Sequence, residues 1–299
     1  MSEHALARLL REHSPLLLSG AMGTELQYRG VRTELPLWSA SALISDPELV
    51  KQIHKDYINA GAQLISTNSF RTNVRTLRNA KGPHTARELT IAACELAHAA
   101  RNESGRPSVL IGGSIAPVED CYLPELVPTD AELEEEHDEL AAYLAEGGVD
   151  FLFIETMNCI REAKAATKAA HTTGLPVIVS FVCSQSGDLL NGDLIEKAVA
   201  ELSAFQPLAF LTNCRPAQDI ETSVSKLLAC SPVPVGVYAN GTGRPDDEQG
   251  WIFEGENPIG EYLEHARGWL GRGVSIIGGC CGTNPDYTRA LATLIETCR

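Results

Sequence analysis

Eight short apolar runs recur along the chain, at 16–19, 63–66, 109–113, 151–155, 177–182, 208–213, 235–238 and 274–277. They lack the polar alternation of a strand with one wet face. Each therefore reads as a strand buried on both faces, the pattern of a parallel sheet. The stretches between them keep a helical period. Residues 47–60 place Leu49, Ile53, Tyr57 and Ala60 on one face and stop at Gly61. Thr129 and Glu132 have the spacing of a capping box, opening a helix that runs to Glu146 before Gly147 and Gly148. Thr24 and Gln27 repeat that spacing, and 161–171, 194–205, 220–230 and 257–270 complete the helical set. Neither a linker nor an internal repeat interrupts the rhythm. Eight strand–helix units in 299 residues predict one (β/α)8 TIM barrel over 1–299, with an open doubly wound sheet as the alternative.

Composition narrows the function. A formal charge of -15, spread along the chain, excludes nucleic acid or an anionic membrane surface as the main partner. No apolar run approaches the roughly 20 residues of a spanning helix. Residues 1–14 are amphipathic and lack the apolar core of a secretory signal, so a cytoplasmic location is expected. There the nine cysteines stay reduced, as small buried hydrophobes or as ligands rather than as disulfides.

A barrel puts chemistry on the loops after its strands. After the first run, Gly20 and Gly23 allow a tight turn; amides at the helix start that follows suit a carboxylate or phosphate, unless this is a plain βα turn. After the second, Ser66, Thr67, Asn68 and Ser69 can bind a small polar ligand or cap the next helix. Arg71, Arg75 and Arg78 beyond them have the spacing of a solvated basic face. Glu155 ends the fourth run, where a carboxylate needs a ligand ammonium or a basic side chain as partner. Two long loops, 114–128 and 241–258, are candidate lids, the second carrying Trp251 and Phe253. Cys214 ends the sixth run, and alone it would be a structural thiol. Gly278 and Gly279 alone could form a phosphate turn. Cys280 and Cys281, adjacent between glycines, are harder to explain that way. With Cys214 they give three soft ligands from neighbouring strand ends, a set that matches zinc with an open fourth position.

Gly-Ala-Met-Gly-Thr-Glu-Leu at 20–26, Phe-Ile-Glu-Thr at 153–156, Asn-Cys at 213–214 and Gly-Gly-Cys-Cys-Gly-Thr at 278–283 together resemble the homocysteine S-methyltransferase family. Trp38-Ser39 and Gly61-Ala62 extend the likeness, which covers residues 15–296. The resemblance implies a zinc barrel that makes methionine from homocysteine and a methyl donor, with Cys214, Cys280 and Cys281 as ligands. It also implies that amides around Ala21 and Met22 receive the substrate carboxylate, that Glu155 receives its ammonium, and that Asn240 can fill the fourth metal position. Thr67 and Asn68 join the expected substrate contacts. Trp251 is a candidate donor contact by cation–π stacking, or an ordinary lid residue. Only a thiolate attacks a methyl group, and metal coordination deprotonates a thiol. With one barrel and no cobalamin or folate module, S-methylmethionine or S-adenosylmethionine is the expected donor. Betaine or a corrinoid protein is the alternative donor, and another thiol or a selenol the alternative acceptor.

One position departs from the family, which usually has an Asp immediately before the first Gly-Ala; here it is Ser19. A serine cannot supply the negative charge that helps hold the amine. Either Glu155 suffices, or the acceptor differs, or the barrel binds zinc without catalysis. Ser19→Asp is accordingly expected to tighten homocysteine binding in calorimetric titration; an unchanged affinity removes Ser19 from the amine site.

Overall fold

In the computed structural model, which describes residues 4–12, 15–246, 250–252 and 254–298, the eight apolar runs form eight parallel strands. They are β1 (Leu16–Leu17), β2 (Leu64–Ser66), β3 (Leu110–Ile115), β4 (Phe151–Met157), β5 (Val177–Phe181), β6 (Ala209–Pro216), β7 (Val235–Asn240) and β8 (Ile276–Gly279). Each pairs with its sequence neighbour, and β8 pairs with β1. A parallel bridge from Leu18 to Leu64 joins β1 to β2, with Ser19 N–H donating to the Leu64 carbonyl at 2.9 Å. The sheet thus closes into a (β/α)8 barrel. Phe253 lies outside the described residues.

Side-chain alternation explains why the runs are unbroken. Leu16, Leu18, Leu64, Leu110, Phe151, Phe153, Ile178, Leu211, Tyr238 and Ile276 share one cluster, the barrel interior. Their neighbours Leu17, Ile65, Ile111, Leu152, Val179, Phe210 and Val237 pack in the clusters beneath the helices. Both faces bury apolar surface, so no polar alternation survives. Leu6 and Leu10 of the helix Ala5–Glu12 join the interior cluster where the strands begin, covering that end of the barrel.

Continued one step further, the same alternation turns polar. The next inward positions include Ser114, Glu155, Ser180, Asn213, Asn240 and Cys280, all at the strands' C-terminal ends. The interior is therefore greasy below and polar at the mouth, and the mouth is where ligands meet barrels.

The helices follow the predicted pattern with two corrections. Thr129 and Glu132 do form a capping box, at the head of Asp130–Glu146. Thr24 and Gln27 do not. The helix Gly23–Tyr28 starts one residue earlier, so Thr24 lies inside it; its Oγ1 accepts from Gly282 N–H at 3.0 Å, and Gln27 Nε2 donates to Thr33 Oγ1 at 2.7 Å. Of the basic stripe only Arg78 is exposed as expected; Arg71 and Arg75 are part-buried and engaged. Arg75 sits among Glu119, Glu132 and Glu136, and Arg71 precedes the helix Val74–Ala80 and lines the central cavity.

Candidate active site and metal centre

Two irregular strand ends build the site. The pairing register shifts in β4 between Ile154 and Met157, and in β6 between Asn213 and Pro216. Thr156 and Cys214 take left-handed backbone conformations there, φ 62° and 60°. Such conformations are rare for side chains larger than glycine and persist only where surroundings hold them. The holder is Asn213. Its Oδ1 accepts from Ser180 Oγ at 2.7 Å, and its Nδ2 donates to Thr156 Oγ1 at 2.8 Å. A bulge re-aims the side chains beside it. Asn213 points inward, so regular alternation would send Cys214 outward; the left-handed turn brings it onto the rim.

There Cys214 meets the last strand. Cys280 Sγ lies 3.1 Å and Cys281 Sγ 4.0 Å from Cys214 Sγ, and all three sulfurs fall within 4.8 Å of one another. All are free thiols. Hydrogen bonds from Cys280 and Cys281 pull the Cys214 thiol well below its ordinary pKa, and Tyr122 adds to the effect. The Cys280 and Cys281 thiols are pushed up, each first by its bond to Cys214. One sulfur is thus disposed to be a thiolate, solvated by its neighbours' protons.

The glycines around the pair serve this packing. A side chain on Gly279 would meet Thr283 Oγ1 at 2.3 Å, and that hydroxyl donates to the Cys280 carbonyl at 2.7 Å. Three of the turn's amides are engaged: Cys280 N–H with Ala239 O, Gly282 N–H with Thr24 Oγ1, Thr283 N–H with Cys280 O. A phosphate turn needs several amides to be available, so this arrangement weighs against that reading of Gly278-Gly279.

The sulfurs open into a cavity of about 1120 Å³. It brings together Ser19, Ala21, Met22, Thr67, Asn68, Glu155, Asn240 and Trp251 with the three cysteines in one space; Ser69 is buried behind the wall, donating to the Ser114 carbonyl. Glu155 looks into it with Ser114 Oγ donating to one oxygen and Tyr238 Oη donating to the other at 3.3 Å. Burial pushes its carboxyl up to about 7 against these two bonds, with the negative charge of Cys214 adding to the rise. Tyr57, from the helix Pro47–Asn59, donates to the Ala21 carbonyl at 2.7 Å and holds the turn after β1. The Ala21 amide makes only a long bond, 3.4 Å, to Thr283 Oγ1. Thr67 is more committed: its Oγ1 is bonded to Ser69 Oγ at 2.7 Å and accepts from Ser114 N–H at 3.0 Å. Asn68 Nδ2 donates to Ser39 O at 2.9 Å. Trp251 donates to Thr242 O at 3.3 Å and lies against Gly282, covering the cysteine turn.

The donor set fits a metal. Three sulfurs converge, and Asn240 Oδ1 is buried in the same cavity with no hydrogen-bond donor among the described residues. Sulfur with an amide oxygen suits a thiophilic divalent cation.

Comparison with known proteins gives this geometry its context. The sequence profile of the family described as Homocysteine S-methyltransferase matches residues 16–295. The chain belongs to the homocysteine S-methyltransferase family. It is 30% identical to homocysteine S-methyltransferase YbgG of Bacillus subtilis, over 96% of each chain. It is 27% identical to a selenocysteine Se-methyltransferase of Brassica oleracea, over 96% of this chain and 91% of that one. Among solved structures, the metallated form of the homocysteine methyltransferase MmuM from Escherichia coli superposes with a TM-score of 0.83, at 27% identity, covering 97% of this chain and all of that one. The chain is thus a methyltransferase, and no helix among the described residues is long and apolar enough to cross a membrane.

Sequence reading of this homocysteine S-methyltransferase family member missed three residues. Ser114 and Tyr238 bracket Glu155; period-two alternation from Phe153 would have found them, since both continue inward-facing rows. Tyr122 comes from the long loop after β3, and its Oη lies 3.2 Å from Cys214 Sγ. Nothing in its local sequence announces that contact. Tyr122→Phe is expected to slow alkylation of the metal-free cysteine cluster at pH 7 by about tenfold, the worth of one hydrogen bond to a charged group. An unchanged rate would show that Tyr122 does not stabilise the Cys214 thiolate.

Proposed function

We propose that the protein transfers a methyl group from a cationic small-molecule donor, S-methylmethionine or S-adenosylmethionine, to the thiol of homocysteine, giving methionine. The observation that carries this reading is the convergence of Cys214, Cys280 and Cys281 in one cavity with the inward-facing carboxylate of Glu155. The metallated state of MmuM supports a metal here, and the sulfur ligands favour zinc. Cys214, Cys280 and Cys281 would hold it, and the unpartnered Asn240 Oδ1 could serve as a further donor. Zinc bound there supplies the positive charge that keeps an incoming thiol ionised at neutral pH.

The chain's own residues bind and align. Glu155, held by Ser114 and Tyr238, receives the substrate ammonium. The Ala21 amide exchanges its long bond to Thr283 for the substrate carboxylate, beside Met22. Ser19, at the same rim, lends polarity but no charge, so the ammonium rests on Glu155. Thr67 and Asn68 shape the wall of the acceptor site, and Trp251 closes the cysteine turn against water and the donor. In the transfer, the homocysteine sulfur forms a bond to the methyl carbon as the donor's carbon–sulfur bond breaks. The electron pair leaves with the donor sulfur as a neutral thioether, and the thiol proton goes to solvent. Alignment of these three atoms supplies the remaining rate. A selenol acceptor fits the same site, in keeping with the Brassica oleracea relative. The unpaired thiols suit a reducing, cytoplasmic setting.

Steady-state assays of the zinc-loaded protein with homocysteine and each donor test this. Methionine should form, and kcat/KM for homocysteine should fall as pH drops below about 7, because Glu155 must be ionised to take an ammonium. Glu155→Gln should remove that acid limb and raise KM for homocysteine by about 10- to 100-fold, the worth of a charge-assisted bond. Cys280→Ala should lose zinc on dialysis and lose activity with it. Absence of methionine with every donor, betaine and methylcorrinoid included, or full activity in Cys280→Ala, contradicts the proposal.

A further inference from the structure

We propose that Arg71 anchors a carboxylate on the methyl donor, so that the donor is a zwitterionic onium carboxylate and not a corrinoid. The inference rests on the proposed methyl transfer and adds the residue that holds its second substrate.

Arg71 lines the same cavity as the cysteine cluster. Its guanidinium has five N–H donors, and one protein bond is found for them: Nη1 to the Glu119 carbonyl at 3.2 Å. Nε is buried with no partner among the described residues. The group lies over the Phe70 ring, 6.0 Å from its centroid. Neighbouring carboxylates are engaged elsewhere. Glu119 is bonded to Arg75, and Asp120 accepts from Tyr122 N–H at 2.8 Å. Arg75, one helical turn on, has three carboxylate partners while Arg71 has none among the described residues. In a chain of charge -15, a cation with no carboxylate among the described residues, at the wall of a reaction cavity, is suited to receive an anion. Guanidinium presents paired donors that match a carboxylate.

That carboxylate does not belong to the acceptor. In the proposed site the acceptor's two charged groups already have receivers, the ammonium at Glu155 and the carboxylate at the Ala21 amide, whose one bond is the long contact to Thr283 Oγ1. Arg71 bonds the Glu119 carbonyl in the loop after β3 instead. With homocysteine bound through Glu155 and the turn after β1, Arg71 serves a second molecule. The space exists: about 1120 Å³ exceeds the roughly 300–1,000 Å³ of an ordinary single-ligand pocket.

The test compares S-methylmethionine with (3-aminopropyl)dimethylsulfonium, the same sulfonium without its carboxylate, by calorimetric titration and by turnover of the zinc-loaded enzyme. Wild type should prefer S-methylmethionine by about 10- to 100-fold, the worth of a charge-assisted hydrogen bond. In Arg71→Gln that preference should collapse through loss of S-methylmethionine binding, and Arg71→Lys should restore part of it, while KM for homocysteine stays put. Equal use of both sulfoniums by wild type, an undiminished preference in Arg71→Gln, or a loss that falls on homocysteine instead overturns the assignment and leaves methyl transfer intact. Selective S-methylmethionine binding, abolished in Arg71→Gln but with no methyl reaching homocysteine, upholds the anchor and sinks the transfer reading.

Discussion

The side-chain amide of Asn213 is the contact on which the site depends. It joins three strand ends: it accepts from Ser180 on β5, donates to Thr156 on β4, and stands next to Cys214 on β6. Thr156 and Cys214 both hold left-handed backbone conformations, each costing roughly 1–3 kcal/mol when unsupported. Without the clamp, regular alternation would point Cys214 away from the mouth. Cys280 and Cys281 would then face a gap where the third sulfur belongs. A buried amide with both ends satisfied is suited to this, because moving either strand leaves a polar group stranded.

Around that clamp the barrel separates charges by position. Anionic chemistry gathers on one side, where the negative charge of the Cys214 sulfur adds to the burial that raises the proton affinity of Glu155. Tyr122, Ser114 and Tyr238 offset the repulsion by donating into it. Two cations line the wall: Arg32, paired with Glu34, and Arg71, near the loops after β2 and β3 and without a carboxylate among the described residues. A cavity so divided accepts zwitterions in a preferred orientation, and two of them can lie with their reacting ends toward the sulfurs. The acidic surface of the chain takes no part in this.

Much of this was legible from residue order, for a physical reason. Strands buried on both faces leave unbroken apolar runs, so all eight could be located, and barrel topology then named the loops to read. Glu155, Cys214, Cys280 and Cys281 stood out because charged or paired soft side chains at strand ends are costly without a role. Thr24 was misread because capping-box spacing is shared by any Thr and Gln three apart; a tertiary partner, the Gly282 amide, took its hydroxyl instead. Arg71 was misread as part of a helical stripe because its spacing to Arg75 and Arg78 is helical, although the helix starts only at Val74; Tyr122 was hidden because loops have no period. The loop containing Tyr122 crosses the mouth to reach Cys214, 92 positions later in the chain. The bulges at Thr156 and Cys214 were equally invisible, since neither residue favours a left-handed backbone.

The central claim is that three cysteines from two strand ends hold one metal ion with a position left for the substrate sulfur. X-ray absorption at the zinc edge of the loaded protein tests it most directly. The account predicts three sulfur neighbours at about 2.3 Å with one lighter atom, and four sulfurs once homocysteine is added. Fewer than three sulfurs in the resting protein, or a sulfur count that homocysteine does not change, would contradict it.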